Sequence, residues 1–518
     1  MSVDVARLMI ALSFEIGRQV GLLISREGEI YSVLVGTERG ILIPDLSQFR
    51  AIQRGLRGIR FLHTHLKNEP LSEEDLTDLA LLRLDLIAAI GVLPSGLPGA
   101  VFMAHLVPEN PEGKIYETHP PLSVHQMNPM AAPWLSTLFS EWDTRKIHDI
   151  HDRRERAILI SVSKENKLDQ EESLAELAEL TRSANLNPIE SIVQRIKAYH
   201  PKTLLGTGKL KEVIMKGVQS LADFLVFDQN LTPLQVKMIG EITEMKVLDR
   251  TQVILDIFAQ RAVTREAQLQ VELAQLRYRL PRLAERSTAL SRLTGGIGGR
   301  GPGETRLEVD RRRTRDRIRR LEREMISRSS GHAQRRMKRN AREIPILSIV
   351  GYTNAGKSTL LNALTQSDVK TGNLLFSTLD TSTRRLRLPR EREVIITDTV
   401  GFIHAIPPDL LGAFESTFSE LKDAHLLLHL VDISSPRLES QIRDVDAILD
   451  RLDIGTKPRL MVLNKIDKMD PDTAQILCAR YNAMGVSACN PKTLTKLLAA
   501  IENRIGMADR GFPYPCSP

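Results

Sequence analysis

Cysteine is scarce in this sequence, with three among 518 residues: Cys478, Cys489 and Cys516. They lack metal-ligand spacing, so neither a disulfide scaffold nor a cysteine-built metal centre organises the chain, and a reducing compartment is expected. Aromatic residues make up only 4% of the chain, which leaves mostly aliphatic cores and argues against stacking on the bases of single strands. Long apolar runs are missing too. The N-terminal stretch MSVDVARLMIALSFEIGRQVGLLI is broken by Asp4, Arg7, Glu15, Arg18 and Gln19, so it reads neither as a signal peptide nor as a membrane span. The expectation is a soluble cytoplasmic protein.

What is present is 42% hydrophobic content and length enough for three or more domains. The net charge of +7 leans toward an anionic partner.

One stretch dominates, IPILSIVGYTNAGKST from Ile344 to Thr359. A short apolar strand leads into Gly351, Tyr352, Thr353, Asn354, Ala355, Gly356, Lys357, Ser358 and Thr359, and an apolar-periodic helix follows. This is a P-loop in its strand–loop–helix context. Its glycines let backbone N–H groups face phosphate oxygens at a helix N-terminus. Lys357 is expected to reach the β- and γ-phosphates and Ser358 to hold Mg²⁺.

Three further motifs follow, each after a strand. Asp398, Thr399, Val400 and Gly401 end the strand Val394 to Thr397; the Asp can hold Mg²⁺ through water and the Gly N–H can sense a γ-phosphate. Asn464, Lys465, Ile466 and Asp467 end a second strand; a carboxylate at Asp467 accepts two hydrogen bonds that guanine donates and adenine does not, which selects GTP. Ser487, Ala488 and Cys489 form a loop that can back the base. Between the first two motifs lie Phe376, Ser377, Thr378, Leu379 and Asp380, with Thr378 the candidate to complete the Mg²⁺ shell. The set resembles the translation-factor-like GTPases. Lys357, Thr378 and Gly401 are the candidate catalytic positions. Phe402 stands where many GTPases place a water-orienting Gln, so intrinsic hydrolysis is expected to be slow. Asn354 resembles the Asn that binds K⁺ in potassium-activated GTPases.

Residues 1–118 read as a first α/β module: a helix from Val5 to Ile16, strands at Val20–Ile24 and Ile30–Val35, then Phe61-Leu62-His63-Thr64-His65 and an apolar helix running through Ile90. His63 and His65 alternate onto one strand face, and Asp75 follows the helix cap Ser72. Two His and a carboxylate suit Zn²⁺ with an open fourth position. The pattern resembles that of the JAMM (JAB/MPN) metalloproteases, HxH then SxxD. It departs from them at Leu66, where the family has Pro, in a spacer of six residues from Leu66 to Leu71, and at Gln19, which stands where the family's catalytic Glu is expected. Gln cannot act as a general base. A JAMM-like module without peptidase activity is expected; a zinc site and two ordinary strand histidines both remain open for His63 and His65.

Residues 119–150, with several Pro and His, read as a linker. From Ala157, strands at 157–162, 186–192, 224–227 and 246–248 alternate with helical patterns, which implies a parallel sheet covered by helices. Gly206-Thr207-Gly208-Lys209 lacks P-loop spacing and reads as a turn and helix cap.

Two long helices then flank a glycine cluster: Gln268 to Leu283 and Thr305 to about Arg328, with Gly295, Gly296, Gly298, Gly299, Arg300, Gly301 and Gly303 between them. They predict a helical hairpin. The second helix carries Arg311, Arg312, Arg313 and further arginines, which suits phosphate contact and recognition of folded RNA by backbone and shape. The other reading is a solvated helix with i,i+4 ion pairs.

The run DRTQVILDIFAQRAVTREAQLQVELAQLRYRLPRL, then GGIGGRGPGETRLEVDRR, then GYTNAGKSTLLNALT resembles the HflX family of ribosome-associated GTPases over roughly residues 155–507. That resemblance implies binding to the large ribosomal subunit through rRNA, a glycine tip near the peptidyl-transferase centre, and splitting or rescue of stalled ribosomes. DNA is not an expected partner, and the partner of the first module is unknown.

The resulting expectation is an α/β chain: a JAMM-like module at 1–118, a linker at 119–150, an α/β N-domain at 151–265, an RNA-binding hairpin at 266–342, a P-loop GTPase domain at 343–507 and a tail at 508–518. Its cofactors are GTP and Mg²⁺, with K⁺ through Asn354 and Zn²⁺ at His63, His65 and Asp75 as further candidates. Two rivals stay open: a GTP-regulated metal-dependent peptidase, and an ATP-dependent RNA helicase or chaperone built on the middle domain.

Overall fold

The computed structural model describes residues 3–44, 46, 56–108, 110, 112–126, 142, 154–285, 306–340, 344–365, 382–398, 401–403, 418 and 421–509. The switch I candidates Phe376 to Asp380, the middle residues Thr399 and Val400, and the glycine cluster 295–303 lie outside these described residues. Two compact units emerge: Met1–Thr181 with Asn185–Asp249, and Arg182–Ala184 with Arg250–Pro518.

The first unit holds two sheets. In one, the strands β1 (Val20–Ser25), β2 (Ile30–Val35), β3 (Ile59–His65), β4 (Leu86–Val92), β5 (Pro98–Leu106) and β6 (Tyr116–Thr118) run in the order β2-β1-β3-β4-β5-β6. A short β7 (Leu122–Ser123) pairs with β5. Helix α1 (Val3–Ile16) buries Met9 and Ile10 against one face, with Leu22, Leu62 and Ile90. Helix α2 (Glu73–Leu81) covers the other, where Leu79 packs with Phe61 and Ile87.

Two expectations are corrected here. The helix expected to run through Ile90 ends at Leu81, and residues 86–92 form the wholly buried strand β4. Arg83 takes a left-handed φ of 51°, which breaks the helix, and an uninterrupted apolar run cannot be told from a buried strand by periodicity alone. The segment expected as a linker contributes β7 and a 3₁₀ turn at Val124–Gln126 to the first sheet, and Trp142 is buried in the α2-side core.

The second sheet contains β8 (Glu155–Ser163), β9 (Leu186–Arg195), β10 (Phe224–Phe227) and β11 (Lys246–Asp249), all parallel, in the order β11-β10-β8-β9. Helices α3 (Lys167–Ser183), α4 (Thr207–Gln219) and α5 (Pro233–Gly240) connect them, as crossovers between parallel strands require. Ile158, Ile160, Leu225 and Phe227 meet Leu210, Val213 and Ile214 of α4. The two sheets share a core, since Val218 and Leu221 join the cluster around Phe61, and the Arg57 guanidinium donates to Glu244.

The second unit begins with α6 (Arg250–Arg261), α7 (Arg265–Glu285) and α8 (Arg306–Asn340). Leu269 and Leu273 of α7 pack on Ile318 and Leu321 of α8, and ion pairs Arg317–Glu272 at 2.8 Å and Arg277–Glu322 at 2.7 Å staple the two helices. Helix α8 runs past the expected end near Arg328 to Asn340. A six-stranded sheet follows, made of β12 (Ile346–Gly351), β13 (Ser382–Arg387), β14 (Glu393–Asp398), β15 (Leu426–Asp432), β16 (Arg459–Asn464) and β17 (Met484–Gly485). Their order is β13-β14-β12-β15-β16-β17, with only β13 antiparallel. Helices α9 (Lys357–Thr365), α10 (Leu438–Arg451), α11 (Pro471–Arg480) and α12 (Pro491–Asp509) complete it. Because β14, β12, β15 and β16 are parallel, their last residues Asp398, Gly351, Asp432 and Asn464 line one edge of the sheet, where ligands of open α/β sheets bind.

Candidate functional site

At that edge β12 turns into α9 through the P-loop. Gly351 takes a φ of 153°, and a Cβ there would overlap the carbonyl oxygen of Leu430; Gly356 takes a φ of 92°, with the Asn464 side-chain amide where a Cβ would lie. Only glycine fits both places. Asn354 holds a left-handed φ of 61°, a conformation Asn tolerates better than most residues.

Lys357 is buried, and its ammonium donates to the carbonyl of Tyr352 at 2.8 Å. Burial pushes its pKa down to about 8, opposed by the charge of Asp398. The Ser358 hydroxyl donates to Asp398 Oδ2 at 2.8 Å, so the two side chains expected to hold Mg²⁺ touch, although 40 residues separate them. This oxygen pair, buried beside an ammonium, matches the hard-donor set that Mg²⁺ takes.

Gly401 lies against the loop: a Cβ on it would stand 2.8 Å from both Lys357 Nζ and Thr353 Cγ2. The next residue locks this contact. Phe402 N–H donates to Gly351 O at 3.1 Å, and Thr353 N–H donates to Phe402 O at 2.7 Å. The Phe402 ring is fully buried, 6.0 Å from that of Phe418. It points into the core.

The base side is built around Asn464. Its Nδ2 donates to Ala355 O at 2.8 Å and its Oδ1 accepts from Ala488 N–H at 3.1 Å, so one buried amide ties the P-loop to the Ser487–Cys489 loop. Lys465 takes a φ of 64° and donates to Asn354 O at 2.8 Å and to Asp432 Oδ2 at 2.6 Å. Asp467 is exposed on a 3₁₀ turn, Ile466–Lys468, and shares with Ser487, Asn490 and Thr493 a cavity of about 470 Å³. Ser487 is held by Thr493, whose Oγ1 accepts from Ser487 N–H at 3.1 Å and donates to Ser487 O at 3.0 Å. Asp432 was not anticipated; its signal is a carboxylate ending an apolar strand, LLLHLVD.

The hairpin arginines divide. Arg317 is engaged with Glu272 on α7, whereas Arg312, Arg313, Arg315 and Arg320 are exposed and Arg311 half-buried. The middle domain builds no such cradle at Gly206 to Lys209: Gly206 opens α4 without a side-chain cap, and Lys209 is paired with Glu212 at 2.7 Å.

In the first unit, β3 brings His63 and His65 together with Asp75. Their Nε2 atoms are 2.9 Å apart; His63 Nε2 lies 3.2 Å from Asp75 Oδ1 and His65 Nε2 3.4 Å from Asp75 Oδ2. Ser72 donates to Asp75 Oδ2 at 2.7 Å in a reciprocal capping box, and His65 Nδ1 lies 3.2 Å from Glu69 O. The two imidazoles hold the Asp75 carboxyl far below the usual carboxylate range against the burial that raises it. Register pairs Gly21 with His63; the buried Gln19 stands just before β1, its N–H donating to Thr37 O at 3.0 Å.

Family models match three successive stretches: "GTP-binding GTPase N-terminal" at 171–259, "GTP-binding GTPase Middle Region" at 261–340 and "50S ribosome-binding GTPase" at 346–465. The chain is 45% identical over 352 residues to the GTPase HflX of Caldanaerobacter subterraneus, covering 68% of this chain and 81% of that one. It is 42% identical over 322 residues to the GTPase HflX of Escherichia coli, covering 62% and 75%. A GTP-binding protein from Sulfolobus solfataricus, crystallised with GDP, is 27% identical with a TM-score of 0.37, covering 68% of this chain and 99% of that one.

Proposed function

We infer that this chain, which belongs to the GTPase HflX family, couples hydrolysis of GTP to binding of the large ribosomal subunit in the cytoplasm. The observation that carries the reading is the meeting of Lys357, Ser358, Asp398 and Asn464 at one sheet edge, and the family description for residues 346–465 supplies the ribosome. Among the described residues, no helix is long and apolar enough to cross a membrane.

The residues divide the work. P-loop N–H groups and Lys357 bind and neutralise the phosphates, and Ser358, Asp398 and Thr378 would hold Mg²⁺, which withdraws charge from the β- and γ-oxygens when bound. Asp467 reads the guanine, and Asn464 fixes the two loops that frame it. Gly401, too close to Lys357 and Thr353 to carry a Cβ, relays the γ-phosphate to the segment around Phe402. No side chain at 402 orients water, so the ribosome completes the catalytic arrangement. The glycines at 295–303 together with Arg311, Arg312 and Arg313 contact rRNA by charge and shape. Asn354 binds K⁺ beside the phosphates; a hydrolysis rate unchanged when Na⁺ replaces K⁺ would remove that role.

The test is co-sedimentation with large subunits. Pelleting should strengthen with a non-hydrolysable GTP analogue relative to GDP; equal pelleting in every nucleotide state would leave the GTPase without a role in binding.

A second reading concerns the first module. The triad His63, His65 and Asp75 offers three ligand atoms, all within 4.8 Å of one another, which suits Zn²⁺ with one open position. With Gln19 rather than a carboxylate beside it, this module holds metal without peptidase activity. Elemental analysis of the full chain against a His63→Ala, His65→Ala variant tests it: equal zinc in both would overturn the assignment.

A further inference from the structure

Asp432 ends β15 opposite Asn464, the last residue of β16, and none of the roles above uses it. Its Oδ1 accepts from the Ser434 N–H at 3.0 Å and from the Ser434 hydroxyl at 2.7 Å. By holding one carboxylate oxygen, this local turn aims the other. Oδ2 accepts from Lys465 Nζ at 2.6 Å. Ion pairs in open solvent contribute little, but the Lys465 and Asp432 side chains are only 20% and 17% exposed. A short charge-assisted hydrogen bond in that setting is a strong one.

The Lys465 ammonium has a second acceptor, the Asn354 carbonyl at 2.8 Å. Consecutive residues at the end of β16 therefore hold consecutive carbonyls of the P-loop: Asn464 holds Ala355, and Lys465 holds Asn354. Each tie is keyed from its other side, that of Asn464 by the Ala488 N–H and that of Lys465 by Asp432. The Lys465 tie also joins two strained positions. Asn354 and Lys465 have left-handed φ values of 61° and 64°. That conformation is costly for a residue with a Cβ and persists where the surroundings over-determine it. Lysine has a flexible stem, so a single acceptor would leave the ammonium free to leave the loop. The second acceptor, itself fixed by Ser434, is what holds it there.

We propose that Asp432 is a positioning residue for guanine-nucleotide binding. It keeps the Lys465 ammonium on the Asn354 carbonyl and so sets the spacing between the phosphate cradle and Asp467, just beyond Lys465. This rests on the assignment of this sheet edge as the GTP site. A cradle and a base reader already held at the separation of one nucleotide lower the ordering cost of binding. The γ-phosphate takes no part, so GDP and GTP benefit alike.

The test is a double-mutant cycle on the full chain, read by titration with labelled GDP and with a non-hydrolysable GTP analogue. Asp432→Ala should weaken both roughly tenfold, by removing a charge-assisted bond. Asp432→Asn keeps the shape and one acceptor but not the charge, and should weaken both to a lesser degree. In a Lys465→Met background, Asp432→Ala should cost no further affinity, because Asp432 acts through Lys465; a merely structural role would show its whole loss there too. Unchanged affinity in Asp432→Ala, or in Asp432→Asn should the alanine variant fail to fold, would overturn the proposal and leave the GTP site standing. So would a loss that persists in full beside Lys465→Met. A wild-type chain that binds neither nucleotide would overturn the GTP reading itself, and this proposal with it.

Discussion

The Asn464 side chain reaches across the sheet edge to donate to the Ala355 carbonyl at 2.8 Å, and Asn464 is buried. Through this bond and its acceptor bond from Ala488, the loop that frames the base and the loop that cradles phosphate are one construction. Asn464→Ala strands both backbone groups, each worth about 1–3 kcal/mol when buried unpaired. Titration with labelled GDP should show affinity falling at least roughly tenfold, accompanied by a lower melting temperature.

Lys357→Ala removes the ammonium that, on the P-loop assignment, neutralises the phosphates, and should abolish tight GTP binding. Unchanged affinity would contradict the P-loop assignment.

Binding should be pH-dependent through the same residue. Burial lowers the Lys357 pKa to about 8 in the nucleotide-free protein, whereas phosphate oxygens favour the protonated form. Above that pH, GTP binding must take up a proton, so affinity should decline as pH rises through about 8 and beyond. The linkage for folding has the opposite sense: the unfolded lysine holds its proton to higher pH, so stability of the nucleotide-free chain increases between the folded and unfolded values. Calorimetry in buffers of different ionisation enthalpy reads the proton uptake; a heat independent of buffer at pH 8.5 would refute it.

Phe402→Gln is an instructive failure. It places the residue type that orients water in other GTPases at the matching position, but the side chain points into the core against Phe418. A buried amide there is left without partners, costing about 1–3 kcal/mol in addition to the lost ring packing. The expected result is no gain in intrinsic GTPase rate and a clear drop in melting temperature; a rate gain of tenfold would show that the segment reorients.

Gln19→Glu probes the first module. If His63, His65 and Asp75 hold zinc as proposed, a carboxylate at 19 is the general base that the module lacks, and chelator-sensitive cleavage of peptide substrates should become detectable. Silence in this variant with zinc bound would mean that the substrate groove differs as well.

Much of this was legible in the chain because the relevant signals are local. Gly351, Gly356, Lys357 and Ser358 are fixed by a single turn, and so are Asp398 to Gly401 and Asn464 to Asp467; each follows a strand whose apolar run is readable. His63, His65 and Ser72 with Asp75 are likewise strand and helix-cap patterns of a few residues. Strand β4 was not legible, because a strand buried on both faces carries no alternation, and the stop at Arg83 is a backbone event without a glycine to announce it. The pairing of Leu122–Ser123 with β5 is not legible either, because a two-residue strand has no periodicity.

The sequence by itself determined the chemistry: a phosphate cradle, a metal hydroxyl, a guanine carboxylate and the order in which they occur, since each depends on residue type and short spacing. Tertiary structure decided which of them meet. Ser358 touches Asp398, Asn464 bridges Ala355 and Ala488, and Asp75 meets His63 and His65 because sheet order and packing bring distant segments together. Spacing along a chain does not encode that pairing; it follows from how the buried apolar faces of the sheets and helices can be covered together.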